Sequence, residues 1–147
     1  MARTRHVAVR TLNQTTSGQV GEHLAAAAIL QRGWGVAMAS QDSVDLVAWN
    51  RETGQKLLIQ VKSSQISRGS RRQLDFQLGL GGKKRLPTKA DFDIIALVSS
   101  EQRVTYFMPV TAIRQKKMNK QPEFFERPDL EADSWQKSIE ELNDGIT

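Results

Sequence analysis

The chain has 147 residues, of which 39% are hydrophobic and 25% are charged, proportions typical of a globular domain. It contains no cysteine, which excludes disulfides and thiolate zinc sites, and no apolar run approaches the roughly 18 residues that span a membrane. A formal net charge of +5 favours an anionic partner such as nucleic acid, and a basic surface kept for solubility explains it about equally well. We expect one domain, 1–147, without a secretory signal and therefore intracellular, in the cytoplasm.

Residues 1 to about 14 are predicted to form a basic arm or an initial strand. The first element predicted after them is a helix. Thr16 or Ser17 could cap its start, and Gly33 suits the left-handed position after its last turn. The apolar stripe of this helix is predicted to consist of Val20, Leu24, Ala27 and Ala28.

Six strand candidates follow the helix in the chain. They are VAMAS, SVDLVAWN, QKLLIQVKSS, RQLDFQLGL, FDIIALVSS and RVTYFMPV. TAIRQKKM and DSWQKSIEELND are predicted to be helical, the second capped by Asp133 or Ser134, and 117–133 is more loop-like. This order predicts an α/β fold with a mixed central β-sheet flanked by helices, a core of about 15–113 and a C-terminal helical extension of about 110–147.

The polar turn RETG predicts a hairpin between the second and third strands. If Asn50 and Gln55 close the turn, the pairs counted outward are Trp49 with Lys56, Val47 with Leu58, and Asp45 with Gln60. Lys62 lies two residues further along the same face, so Asp45, Gln60 and Lys62 should form one polar cluster. The opposite face, with Val44, Leu46 and Ala48 against Leu57, Ile59 and Val61, is apolar.

This cluster could hold a metal ion. A carboxylate, an amide oxygen and a nearby main-chain carbonyl are ligands suited to Mg²⁺, and a lysine beside the ion can orient or deprotonate a water. An ion pair between Asp45 and Lys62, with Gln60 as a hydrogen-bonding neighbour, explains the same pattern. Glu22, which heads a row of small apolar residues on the helix, is either a further ligand or a first-turn glutamate favoured by the helix dipole.

Together, GEHLAAAAILQRGWGV, SVDLVAW and LLIQVKSS resemble the PD-(D/E)XK nuclease superfamily in its Q-x-K variant. The resemblance covers roughly 15–113 and is strongest to the Holliday-junction resolvase-like and group-I-intron homing endonuclease branches. It implies a restriction-endonuclease-like fold, metal-dependent DNA hydrolysis and a homodimer or larger homo-oligomer. The catalytic residues it implies are Glu22, Asp45, Gln60 and Lys62, with Mg²⁺ or Mn²⁺ held by Asp45, Gln60, Glu22 and the main-chain carbonyl of Val61.

Two positions depart from the family pattern. Val44 replaces the proline of the family name, which is a common variation, and Gln60 replaces the usual acid. A neutral amide removes one negative charge and should weaken binding of a divalent metal. The alternative to an endonuclease is therefore a catalytically inactive DNA-binding subunit of a recombination or transposition complex, and an RNA-binding protein is a weaker third interpretation.

Two basic, glycine-containing loops on either side of RQLDFQLGL are predicted to contact DNA phosphates. Their cations are Arg68, Arg71, Arg72, Lys83, Lys84, Arg85 and Lys89. Ordinary solvated loops are the alternative explanation. A third basic patch, RQKKMNK, is explained equally well as the solvated end of a helix.

Overall fold

The computed structural model describes residues 13–144, so the predicted N-terminal arm falls almost wholly outside the described residues. The elements in chain order are α1 (Gln14–Gln31), β1 (Gly35–Gln41), β2 (Val44–Trp49), β3 (Lys56–Ser64), β4 (Leu74–Gln77), β5 (Ile94–Ser99), β6 (Val104–Pro109), β7 (Lys117–Lys120) and α2 (Leu130–Asp144). Short 3₁₀ turns occupy Val110–Ala112 and Pro122–Glu126. Neither α-helix in 13–144 is long and apolar enough to cross a bilayer.

Five strands form one mixed sheet in the order β1-β2-β3-β5-β6. β3 and β5 are parallel, and the other neighbouring pairs are antiparallel. β4 and β7 pair separately as a two-stranded antiparallel ribbon. This architecture confirms the predicted α/β fold with a mixed central sheet flanked by helices.

The two faces of the sheet are covered differently. On the first face both helices pack on the sheet, with Ile29 of α1 and Trp135 of α2 in one buried cluster around Ile59. On the second face the ribbon and the turn Pro122–Glu126 cover the sheet, and Phe76 packs there with Ile95. α2 also shields the outer edge of β6, because Thr105 N and Phe107 N donate to side chains of α2.

α1 begins earlier than predicted and buries a different row of side chains. Asn13, rather than Thr16 or Ser17, is the cap, and its Oδ1 accepts a hydrogen bond from Thr16 N at 2.8 Å. Gly33 follows the helix with φ +85°, as predicted. Ala27 of the predicted stripe is exposed. The buried residues are Ser17, Gly21, Ala25, Ala26, Ala28 and Ile29, so the row headed by Glu22 is the one that faces the sheet.

The predicted helix TAIRQKKM is wrong. Its residues form a 3₁₀ turn at Val110–Ala112 and the start of strand β7. Met118 of β7 pairs with Phe76 of β4 and packs on the second-face cluster, so tertiary pairing overrides local helix propensity. The extension after residue 110 is therefore only partly helical, and α2 begins at Leu130, before the predicted caps Asp133 and Ser134.

Candidate active site

The hairpin between β2 and β3 has the predicted register. Asn50 N donates to Gln55 O at 2.8 Å across the turn, and the pairs Trp49–Lys56 and Val47–Leu58 are confirmed. The ladder continues to Leu46–Ile59 and ends there, one step before the predicted Asp45–Gln60 pair.

The start of β2 departs from regular pairing. Ser43 has φ +66°, and the register between β1 and β2 shifts between Met38 and Gln41. Val44 packs with the second-face cluster, so its predicted place beside Leu46 and Ala48 is wrong. The Asp45 carboxylate fills the position of a main-chain acceptor, because its Oδ2 accepts a hydrogen bond from Val61 N at 2.7 Å.

The main-chain carbonyl of Val61 points toward this carboxylate. Leu58 O accepts a hydrogen bond from Asp93 N at 2.8 Å, so the main-chain groups of Leu58 point to the β5 side of β3. Main-chain groups alternate in direction along a strand, and Val61 is three residues further on. Its N–H and its carbonyl therefore face the β2 side, where Asp45 lies at the end of the ladder.

Gln60 is buried with an unpartnered oxygen. The residue is only 5% exposed, and Oε1 has no hydrogen-bond partner among the described residues. An unsatisfied buried acceptor costs about 1–3 kcal/mol. Gln60 directly precedes Val61 on β3, and a buried acceptor of this kind is suited to bind an electropositive group.

Glu22 approaches the same point from the first face. Burial raises the pKa of the Glu22 carboxyl, and its charge repulsion and hydrogen bond with Asp45 raise the pKa further. Two carboxyl groups this close repel each other when both are ionised. A cation between them would relieve that repulsion.

Lys62 lies on the second face, beside Asp45. Burial lowers the pKa of the Lys62 ammonium, the Asp45 charge opposes that effect, and the nearby Lys84 charge lowers the pKa further. A lysine in such surroundings gives up its proton more readily than an exposed lysine does. Glu22 and Lys62 thus both lie near Asp45, where the β2–β3 ladder stops.

A close approach of α1 to β3 positions the helix over this site. A Cβ added at Gly21 would lie 1.6 Å from Ser63 Oγ and 3.0 Å from Ser63 Cβ. The absence of a side chain at Gly21 therefore lets α1 sit directly on β3, which brings the neighbouring Glu22 within reach of Asp45.

A cavity of about 500 Å³ opens beside Lys62, between the start of α1, the end of β3 and strand β4. Its lining residues are Gln14, Ser17, Gly18, Val61, Lys62, Ser63, Ser64, Gln65, Asp75 and Gln77. Neither Asp75 nor Gln77 was predicted as a site residue from the sequence. The alternation of RQLDFQLGL signals that they face away from Leu74 and Phe76, but it does not show that β4 lies next to Lys62.

The seven predicted DNA-binding cations fall into two groups. Arg68, Arg72 and Arg85 form ion pairs with Glu101, Glu123 and Asp91, at 2.7, 3.5 and 2.7 Å. The other four form no salt bridge within 13–144 and comprise Arg71, Lys83, Lys84 and Lys89. These four lie in exposed loops and are available to an anionic partner.

The donors at the site are few. No group of three or more His, Cys, Asp or Glu side chains in the described part of the chain could hold a metal ion by itself. The oxygens that the sequence predicts as ligands are the carboxylates of Glu22 and Asp45, the Gln60 amide and the Val61 carbonyl. Such a mixed set suits a hard cation that keeps several waters.

No protein-family profile matches the chain, and no curated protein matches it. Among solved structures, the chain is similar to the bacterial homing endonuclease I-Ssp6803I, with a TM-score of 0.68. The similarity covers 90% of this chain and 97% of that one at 20% sequence identity. It shows that this chain has the fold of that endonuclease.

Proposed function

We propose that the protein is a metal-dependent DNA endonuclease of the PD-(D/E)XK type with a Q-x-K motif. The carrying observation is that Glu22 and Lys62 both act on the Asp45 carboxylate, on the strand next to the buried Gln60. The shared fold with a protein named as a homing endonuclease supports the same reaction. The substrate would be DNA, either branched or of a specific sequence.

The donor set fits Mg²⁺ or Mn²⁺. Asp45, Gln60 and the Val61 carbonyl would hold the ion, and Glu22 would bind it directly or through a water. A bound divalent ion would supply a water of lowered pKa and offset negative charge at the phosphate. The hydrogen bond from Val61 N holds the Asp45 carboxylate in place before any ion arrives.

Lys62 would position or deprotonate the attacking water. Its partly buried amine has a lowered pKa, which suits it to accept a proton or to hold the water in line with the phosphorus. Lys84, whose charge reaches Lys62, would face the phosphate from the loop side. In this scheme Glu22 and Asp45 together hold the proton and balance the charge at the site.

DNA would lie across the loops that carry unpaired cations, Arg71, Lys83, Lys84 and Lys89. Contacts from these side chains to phosphates would give salt-dependent affinity with little sequence preference. Arg68, Arg72 and Arg85 remain candidates, but each must first exchange a protein carboxylate for a phosphate. We expect them to contribute less than the unpaired four.

Cutting both strands of a duplex or a junction needs two active sites, so a homodimer or a larger homo-oligomer is part of the proposal. The protein would act inside the cell on DNA. Residues 1–147 would work as one nuclease domain, with α2 and β7 extending its core.

The deciding experiment incubates the protein with supercoiled plasmid and with a four-way junction, in Mg²⁺, Mn²⁺ or EDTA. Lys62→Ala should abolish cleavage while leaving most DNA affinity, because it removes the group at the water. Exposed Lys137→Ala, on α2, is the matched control and should cut normally. Cleavage that persists in EDTA or in Lys62→Ala would overturn the proposal.

A second candidate is a DNA-binding subunit that has lost the chemistry. The neutral side chain at position 60, in place of an acid, favours it. Such a protein would bind DNA with a steep salt dependence and cut neither substrate in any metal. Binding of duplex DNA without cleavage would therefore select this candidate, and stronger binding of RNA would reject both.

A further inference from the structure

The ribbon formed by β4 and β7 has one apolar and one polar face. Leu74 and Phe76 of β4 are buried against the sheet, and Met118 packs with them. The alternate residues point the other way. On β4 these are Asp75 and Gln77, and their partners in the β7 register are Asn119 and Lys117.

This outer face consists entirely of polar side chains. It presents one carboxylate, two carboxamides and one ammonium, all exposed except the half-buried Gln77. These groups recognise base edges in DNA: amides pair with adenine, lysine with guanine, and a carboxylate accepts from cytosine. A ribbon that packs on the core with one face and presents groups able to contact base edges on the other is suited to recognise a DNA sequence.

The dimensions of the ribbon suit the major groove. That groove is about 12 Å wide and admits a two-stranded ribbon. Neighbouring outward residues on a strand, such as Asp75 and Gln77, lie roughly 7 Å apart. Since successive base pairs are about 3.4 Å apart, these two side chains match base pairs two steps apart.

The side chains are held in place before any ligand binds. Asp75 Oδ1 accepts a hydrogen bond from Gln73 Nε2 at 2.8 Å, and Gln77 Oε1 accepts one from Gly79 N at 3.2 Å. The second bond leaves the Gln77 amide nitrogen free to donate. Preorganised polar groups lose less entropy on binding than mobile ones.

The ribbon is continuous with the candidate active site. Asp75 and Gln77 line the same cavity as Lys62, and Asp75 N donates to Ser64 Oγ, at the end of β3, at 3.1 Å. Exposed Arg114 and Lys116 lie just before β7 and could contact phosphates beside the groove. A phosphate at Lys62 would therefore bring the adjoining groove against the ribbon.

We propose that the outer face of the β4–β7 ribbon reads base pairs in the major groove beside the cleaved phosphate. Asp75, Gln77, Lys117 and Asn119 then determine which sequences are bound and cut. This inference rests on the proposed endonuclease function, because it places the scissile phosphate at Lys62.

The test selects from a library of duplexes with a randomised central segment, using the full chain with Lys62→Ala to prevent cutting. The parent should enrich a defined motif. Gln77→Ala, Asn119→Ala and Lys117→Ala should each relax the preference at one position by about 5- to 100-fold. Their affinity for an unrelated duplex should change little, and Lys137→Ala should select the parent motif.

The outcomes separate the two proposals. The ribbon proposal fails if the library yields no motif, or if the motif is unchanged in all three ribbon variants. The endonuclease proposal still stands in that case, provided that the cleavage-competent chain cuts plasmid in Mg²⁺. If the chain neither binds nor cuts DNA, both fail. Asp75→Asn adds a check. If Asp75 contacts a base, this substitution should change the selected motif at one position. If Asp75 instead binds the metal, the substitution should abolish cleavage of every sequence and leave the motif unchanged.

Discussion

The two ends of the β2–β3 hairpin are built in opposite ways. At the turn end, Asn50 N donates to Gln55 O and Gly54 N donates to Asn50 O, both at 2.8 Å. Asn50 Oδ1 also accepts from Glu52 N at 2.9 Å and from Thr53 N at 3.2 Å. Polar groups of the chain thus satisfy one another at this end, and the ladder beyond it is regular.

At the open end the polar groups are left available. The ladder stops at Leu46 and Ile59, Asp45 replaces a main-chain partner, and Gln60 Oε1 stays unsatisfied. The closed turn fixes the register, so it also fixes where pairing ends and which side chains lie at the break. One end of the hairpin stabilises the fold, and the other holds the candidate chemistry at some cost in stability.

Removing charge at the open end should have the largest effect. Asp45→Asn keeps an oxygen that can accept from Val61 N but loses the negative charge that would bind a cation. We expect plasmid cleavage in Mg²⁺ to fall by about 1,000-fold or more. The melting temperature should change little, because the relieved repulsion with Glu22 offsets the lost attraction to Lys62. Initial cleavage rates and thermal melting measure the two effects, and a rate within tenfold of the parent would contradict the assignment of Asp45.

Separating α1 from β3 should damage both stability and activity. The methyl of Gly21→Ala would collide with Ser63 Oγ, so the helix must shift or Ser63 must rotate. Overpacking of this kind costs about 1–3 kcal/mol, part of which the better helix propensity of alanine offsets. We expect a lower melting temperature and slower cleavage, because Glu22 moves with the helix.

Gly18 provides the matched control for this change. A Cβ at Gly18 meets nothing within 4 Å, so Gly18→Ala should raise the melting temperature slightly. Adding Ser63→Ala to Gly21→Ala removes the colliding oxygen and should recover part of the loss. Equal melting temperatures for Gly18→Ala and Gly21→Ala would show that the close approach does not constrain the helix.

The sequence allows the hairpin to be predicted because its determinants are local. The RETG turn and the alternation on both strands set the register, and the pairs Trp49–Lys56 and Val47–Leu58 follow by counting. The break at Asp45 could not be predicted, because it depends on Ser43 adopting φ +66° and on Val44 finding space in the second-face cluster. The second of these depends on neighbours distant in the chain.

Errors elsewhere have a similar cause. The sequence of α1 contains two apolar rows. The close packing of Gly21 on Ser63 accounts for the burial of the row headed by Glu22 against the sheet. Strand β7 has one apolar residue packed on the core, Met118, so its strand character comes from its partner β4 rather than from its own sequence. The cations of the loops were visible in the sequence, but their carboxylate partners were not.

Restoring an acid at the break should strengthen metal binding. Gln60→Glu adds a third carboxylate to the proposed ligand set, and ligand charge raises divalent-ion affinity. We expect about tenfold less Mg²⁺ at half-maximal cleavage, with a lower melting temperature in EDTA that Mg²⁺ restores. Gln60→Met removes the unsatisfied oxygen at similar volume, so it should keep or raise stability and lose cleavage. No change in Mg²⁺ requirement for Gln60→Glu would remove position 60 from the metal site.

The smallest effect is expected at the turn end. Asn50→Ala removes the Oδ1 that accepts from Glu52 N and Thr53 N, which should cost about 1 kcal/mol. For a chain of this size that lowers the melting temperature by roughly 2–5 °C. Cleavage per folded molecule should stay within twofold, because the ladder from Trp49 to Leu46 still fixes the register. A large loss of cleavage at a temperature where the variant is folded would mean that the turn sets the geometry of the site directly. The division of the hairpin into a stabilising end and a functional end would then be wrong.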